Sequence, residues 1–82
     1  MPTVLRLGRK RVMIYTNDHL PPHVHVWEGT RQAVFNLNCS QGPLELRENF
    51  GFSWPEVNAL AALLKAQRPM LCARWRSLHG ER

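Results

Sequence analysis

The hydrophobic period changes once along this chain, near residue 53, and that change limits what it can fold into. Before it, apolar and polar residues alternate: His23–Glu28 reads His-Val-His-Val-Trp-Glu, the signature of a strand with two unlike faces. After it, Val57, Leu60, Ala61 and Leu64 recur at i, i+3, i+4 and i+7, one apolar stripe on a helix. The boundary is marked by Ser53-Trp54-Pro55-Glu56, a capping box with proline in the first turn, where its missing donor costs nothing. Strands followed by helices define an α+β fold. With 82 residues the chain has room for one domain, 1–82, with a β-rich half over 1–47 and a helical half over 53–79.

The strands are expected at Thr3–Leu7, Arg11–Thr16, His23–Glu28 and Gln32–Leu37, with a short edge strand at Pro43–Arg47. The sheet is therefore small and antiparallel, of four or five strands. Gly8-Arg9-Lys10 and Gly29-Thr30-Arg31 supply turns, since glycine reaches positive φ without a steric cost. Pro21-Pro22 removes two backbone donors and keeps its segment out of a sheet interior. Leu71, Cys72, Trp75 and Leu78 resume helical spacing after Pro69, which either kinks one C-terminal helix or opens a second. Trp54 and Trp75 fall at helical positions and are expected as core anchors. His79 is expected at the surface.

The longest uninterrupted apolar run, Ala59–Leu64, is far short of the ~20 residues that span a bilayer, and no membrane partner is expected. Arg6, Arg9, Lys10 and Arg11 interrupt the secretory pattern a signal peptide needs. Cys39 and Cys72 stand far apart and outside any Cys-x-x-Cys spacing, which suggests reduced thiols and a cytoplasmic protein. The net charge of +5 is unevenly spread. Residues 1–17 carry four cations and no acid, residues 18–56 sum to −3, and residues 57–82 sum to +4. Basic ends around an acidic middle suit an RNA or DNA contact, and equally an acidic protein partner.

Chemistry-bearing residues concentrate in Asn17-Asp18-His19-Leu20-Pro21-Pro22-His23-Val24-His25-Val26. On a strand, His23 and His25 share one face about 6–7 Å apart, while Val24 and Val26 turn to the other. Three readings are open. The histidines chelate a metal, with His19 or Asp18 joining His23 and His25 as the third ligand. They act without metal as general acid and base. They are structural hydrogen-bonding groups beside a proline turn. Asp18, His19, His23 and His25 are the candidate catalytic residues; no cofactor is expected. Tyr15 and Trp27, close to this segment, are candidates for binding a substrate or partner, Trp27 by stacking on bases. Arg6, Arg9, Lys10, Arg11, Arg74 and Arg76 are the candidate cationic contacts.

The opening Met-Pro-Thr-Val-Leu-Arg, the Met13-Ile14-Tyr15 run into Asp18-His19, and the Pro21-Pro22-His23-Val24-His25-Val26 core resemble the bacterial family called domain of unknown function 4160. Ala33-Val34-Phe35, Leu44-Glu45-Leu46, Gly51-Phe52-Ser53 and Trp75 are similar to it too. The resemblance implies a small bacterial protein encoded beside a partner of the domain of unknown function 2442 type, in pairs that resemble type II toxin–antitoxin modules. This chain would then be the toxin, neutralised by that cognate antitoxin, with RNA or another cellular component as its target. Non-catalytic binding and a histidine-ligated metal domain stand as the alternatives. Residues 38–43 look longer and less charged than the family's usual link, which leaves the strand order there open.

Overall fold

The computed structural model describes residues 3–39 and 42–80. Met1, Pro2, Ser40, Gln41, Glu81 and Arg82 lie outside them, and with them the first two residues of the opening motif and the centre of the 38–43 link. Five strands, β1 (Thr3–Leu7), β2 (Lys10–Met13), β3 (His23–Glu28), β4 (Arg31–Asn36) and β5 (Glu45–Phe50), precede two helices, α1 (Trp54–Ala66) and α2 (Arg68–His79). The sheet runs in the order β1-β2-β3-β4-β5, every neighbouring pair antiparallel. The 38–43 link therefore leads to the adjacent position in a simple meander.

Directly opposed residues share a sheet face. The pairs Val12–Val26, Val26–Ala33 and Val24–Phe35 thus place one apolar surface against the helices. Val57, Leu60 and Leu64 of α1 and Leu71, Cys72 and Trp75 of α2 cover it, and all are buried. The pairs Met13–His25, His25–Val34 and His23–Asn36 define the opposite face, which is the one that matters for chemistry.

Several boundaries differ from the sequence reading, each for a local reason. β2 ends at Met13 and not Thr16, because the Tyr15 amide donates to Asp18 Oδ2 at 3.1 Å and the Asp18 amide to the Tyr15 carbonyl at 3.1 Å. Those bonds turn the chain out of the ladder. The β3–β4 turn contains only Gly29-Thr30, since Arg31 already pairs with Glu28. β5 runs on to Phe50, as Glu48, Asn49 and Phe50 pair with Val34, Ala33 and Gln32. Asn49 then accepts from the Phe52 amide and donates to its carbonyl, at 3.1 and 2.9 Å. At Gly51, φ is +100° and a β-carbon would lie 2.9 Å from Arg31 Cγ, so only glycine passes here without a shift.

The capping box forms as expected: the Glu56 amide donates to Ser53 Oγ at 3.3 Å and the Ser53 amide to Glu56 Oε1 at 2.9 Å. Pro69 opens α2 as a separate helix. Trp75 is a core anchor at 2 % exposure, whereas Trp54 is 68 % exposed. Trp54 occupies the first position of α1, one turn before Val57, the first residue of that helix to be buried. Cys39 and Cys72 are joined by a disulfide, which corrects the reading of reduced thiols. Distance along the chain misled there, because α2 folds back until the two α-carbons stand 5.8 Å apart.

Candidate functional site

The connection between β2 and β3 returns over the polar sheet face and brings Asp18 to the two β3 histidines. Asp18 Oδ2 lies 3.5 Å from His23 Nε2 and 3.3 Å from His25 Nε2. The imidazole rings stand 5.1 Å apart between centroids, in an edge arrangement. The sheet pleat explains this: His23 and His25 share a face, and Val24 between them is fully buried in the core. The Leu20–Pro21 peptide is cis.

Each imidazole is held from behind. His23 Nδ1 lies 2.8 Å from the Pro21 carbonyl oxygen; because that oxygen can only accept, Nδ1 carries the proton. His25 Nδ1 meets the Gln32 side-chain amide at 3.1 Å. His25 Nε2 is buried and makes no aligned hydrogen bond, although it approaches the Asp18 carboxylate closely enough for ion pairing. Burial holds the His25 pKa below the ordinary histidine value. The Asp18 carboxylate pulls it back up, while the charges of His23 and Arg47 push it down.

Tyr15 packs its ring edge on His25 at 4.8 Å, and its hydroxyl accepts from Trp27 Nε1 at 3.0 Å. Trp27 is thus tied into the wall of the cluster and is only partly exposed. Arg11 is the cross-strand neighbour of Trp27 on the same face, exposed, with Arg6 opposite it on β1. Arg9 is exposed in the first turn, and Lys10 pairs with Glu28 at 3.1 Å. Arg74 and Arg76 are exposed on α2. The structure therefore brings Asp18, His23, His25, Tyr15 and Trp27 together and leaves the cations dispersed around them.

His19 does not join the three-residue cluster. It is exposed and lines an open cleft of about 530 Å³ with Asp18, Leu20, Trp75 and His79. His79 was expected at the surface, but it is half-buried, stacked on Trp75 at 3.8 Å. Its Nδ1 lies 3.1 Å from the Trp75 carbonyl and its Nε2 3.0 Å from the Tyr15 carbonyl. Both partners are acceptors, so in each bond the ring nitrogen is the donor. Gln32, Arg47, Trp75 and His79 are the site residues that sequence reasoning missed. For Gln32 a signal existed, since it lies in a strand hairpin-paired with the one that carries the histidines.

A two-layer α+β chain with a carboxylate–imidazole cluster built from β3 and the connection that leads into it is the class that fold and site define. The chain belongs to the family described as Domain of unknown function (DUF4160), which it matches over residues 10–76. No curated protein and no solved structure matches it.

Proposed function

We propose that this protein is the growth-inhibiting toxin of a bacterial type II toxin–antitoxin pair, acting on RNA at the Asp18–His23–His25 centre. The observation that carries the chemical part is one carboxylate oxygen within 3.5 Å of two imidazole nitrogens, on a residue that also lines an open cleft. The toxin part is supported by family membership together with the resemblance of that family's gene pairs to type II modules. The cognate antitoxin would be a protein of the domain of unknown function 2442 type.

RNA carries its own nucleophile, so the protein need only move protons and stabilise charge. The 2′-hydroxyl oxygen attacks the adjacent phosphorus, and its proton passes to the Asp18–His23–His25 centre. The bond to the 5′ oxygen breaks, and that oxygen takes a proton from His19, the exposed imidazole in the same cleft. A 2′,3′-cyclic phosphate and a 5′-hydroxyl result. Positioned proton transfer of this kind contributes about 10²–10⁴-fold in rate. Arg11 and Arg6 on the same sheet face suit contacts to the phosphate backbone.

The reading places the toxin in the cytoplasm, and no helix among the described residues is long and apolar enough to cross a membrane. The Cys39–Cys72 bond would there face a reducing thiol pool, so its state in the cell bears directly on the placement. Expression of the chain alone, with and without His23→Gln and His25→Gln together, tests the whole proposal. Growth arrest by the parent, relieved by the antitoxin and lost in a folded double variant, is the expected result. A folded double variant as toxic as the parent removes the centre from the mechanism. Burial of His23 favours a second reading, a non-catalytic binding module; growth arrest without RNA turnover would select it.

A further inference from the structure

With Asp18 ionised and both imidazoles neutral, the three groups do not satisfy one another. His23 spends its proton on the Pro21 carbonyl at 2.8 Å, which leaves the Nε2 lone pair facing the Asp18 carboxylate at 3.5 Å. Two electron-rich atoms then face each other inside the protein, on a histidine only 5 % exposed. His25 Nε2 points at the same oxygen without an aligned hydrogen bond. A positive charge between the three atoms resolves the conflict, and the spacing suits an ion better than a proton.

We propose that Asp18 Oδ2, His23 Nε2 and His25 Nε2 form a three-ligand site for a zinc-class divalent cation, with a fourth position left for water. One ligand atom from each of Asp18, His23 and His25 lies within 4.8 Å of the other two. Bonds of about 2.0–2.1 Å set the neighbouring ligands of an octahedral or tetrahedral ion roughly 2.8–3.4 Å apart. The two carboxylate–imidazole separations, 3.5 and 3.3 Å, already stand close to that span.

The supporting contacts are those a ligating histidine needs. Metal-bound imidazoles donate their other N–H to a carbonyl or carboxylate, which fixes ring and tautomer. The Pro21 carbonyl does this for His23. For His25, half a turn of the Gln32 amide exchanges its nitrogen and oxygen, so that Oε1 accepts from Nδ1–H and Nε2 is freed to ligate. The Tyr15 amide steadies the ligating oxygen of Asp18 at 3.1 Å. Two imidazoles and one carboxylate form a borderline-soft donor set, which suits zinc, cobalt or iron and not magnesium or calcium. Both cysteines are consumed in the disulfide, so no thiolate competes.

The inference goes beyond the toxin reading and does not depend on it, because metal uptake is measured with no RNA present. The untagged full-length chain is stripped with chelator, kept oxidised, and titrated with Zn²⁺ against a chromophoric competitor and with Co²⁺ by visible absorption. One equivalent is expected, with ring-nitrogen NMR shifts at His23 and His25. Asp18→Asn and His25→Gln should each weaken Zn²⁺ binding by more than about 100-fold, since even loss of a supporting contact typically costs 10–100-fold. His19→Ala should bind as the parent does. Near-UV circular dichroism of the metal-free variants establishes that they are folded, and the NMR shifts on the parent need no variant at all. Lack of uptake, Asp18→Asn binding as tightly as the parent, or ring shifts at His19 and His79 instead would each overturn the site. A chain that binds zinc but arrests no growth would remove the toxin reading alone.

Discussion

His79 Nε2 lies 3.0 Å from the Tyr15 carbonyl oxygen and ties the last turn of α2 to the loop that carries Asp18, across 64 positions of sequence. The bond closes one wall of the cleft that Asp18 and His19 line. His79→Phe keeps an aromatic ring on Trp75 and removes the ring nitrogens that bond the Trp75 and Tyr15 carbonyls. Amide exchange over residues 14–20 should accelerate, with a global loss of about 0.5–1.5 kcal/mol, the net range for a single hydrogen bond. Unchanged exchange in that segment would show that the loop is held by Asp18 alone.

Arg31 Nη1 reaches both carboxylate oxygens of Glu56 at 3.0 Å, joining β4 to the capping box of α1. The Glu56 pKa is lowered first by the Ser53 backbone amide, then by the Ser53 hydroxyl and Arg31. A carboxyl more acidic in the folded chain than in the unfolded one stabilises the fold above its unfolded pKa. That stability is lost as pH falls from the ordinary glutamate value toward the lowered one. Glu56→Gln should flatten the acid limb of a Tm-against-pH curve while leaving its neutral plateau lower. An acid limb as steep as the parent's would place the dependence on other carboxylates.

The two helical tryptophans should differ sharply. Trp75→Ala removes a ring that is 2 % exposed, and large-to-small changes of this kind cost about 3–5 kcal/mol. Trp54→Ala, at a site 68 % exposed, should stay within about 0.5 kcal/mol. Urea midpoints with unchanged slopes would read both values. Similar losses at the two sites would mean that Trp54 is covered in solution.

Reduction of the Cys39–Cys72 bond opens a loop with a sequence separation of 33. Closing a loop of that length stabilises a fold by roughly 2–4 kcal/mol. Tm should fall on adding reductant to the parent and should not respond in Cys39→Ser/Cys72→Ser. Alkylation of freshly lysed cells before and after reduction reports which state the cell keeps.

Much of this architecture was legible because it is written in local patterns. The alternation in His23–Glu28, the capping box at Ser53 and Glu56, and the stripe from Val57 to Leu64 each rest on near neighbours in sequence, and each forms. What escaped notice depends on distant partners. β5 is lengthened by its ladder to β4, Cys72 meets Cys39 only once α2 packs, and His79 acquires its acceptor from residue 15. The site shows the same division. Asp18 and the two histidines could be named from eight consecutive residues, but the choice of Asp18 over His19 as third member needed the Tyr15–Asp18 bonds that turn the loop inward.

Asp18 comes from the β2–β3 connection and both histidines from β3 itself, so the entropy of bringing the three atoms together is that of closing a short loop. Contacts local in sequence form, in general, ahead of contacts that must wait for the chain's far end. Trp75 and His79 arrive with α2, after the cluster's donors can already have met. Access to the centre is thus governed by the last helix, and its composition by the β2–β3 hairpin. The hairpin is accordingly the smallest piece that could be transplanted to another antiparallel sheet with its donor set intact.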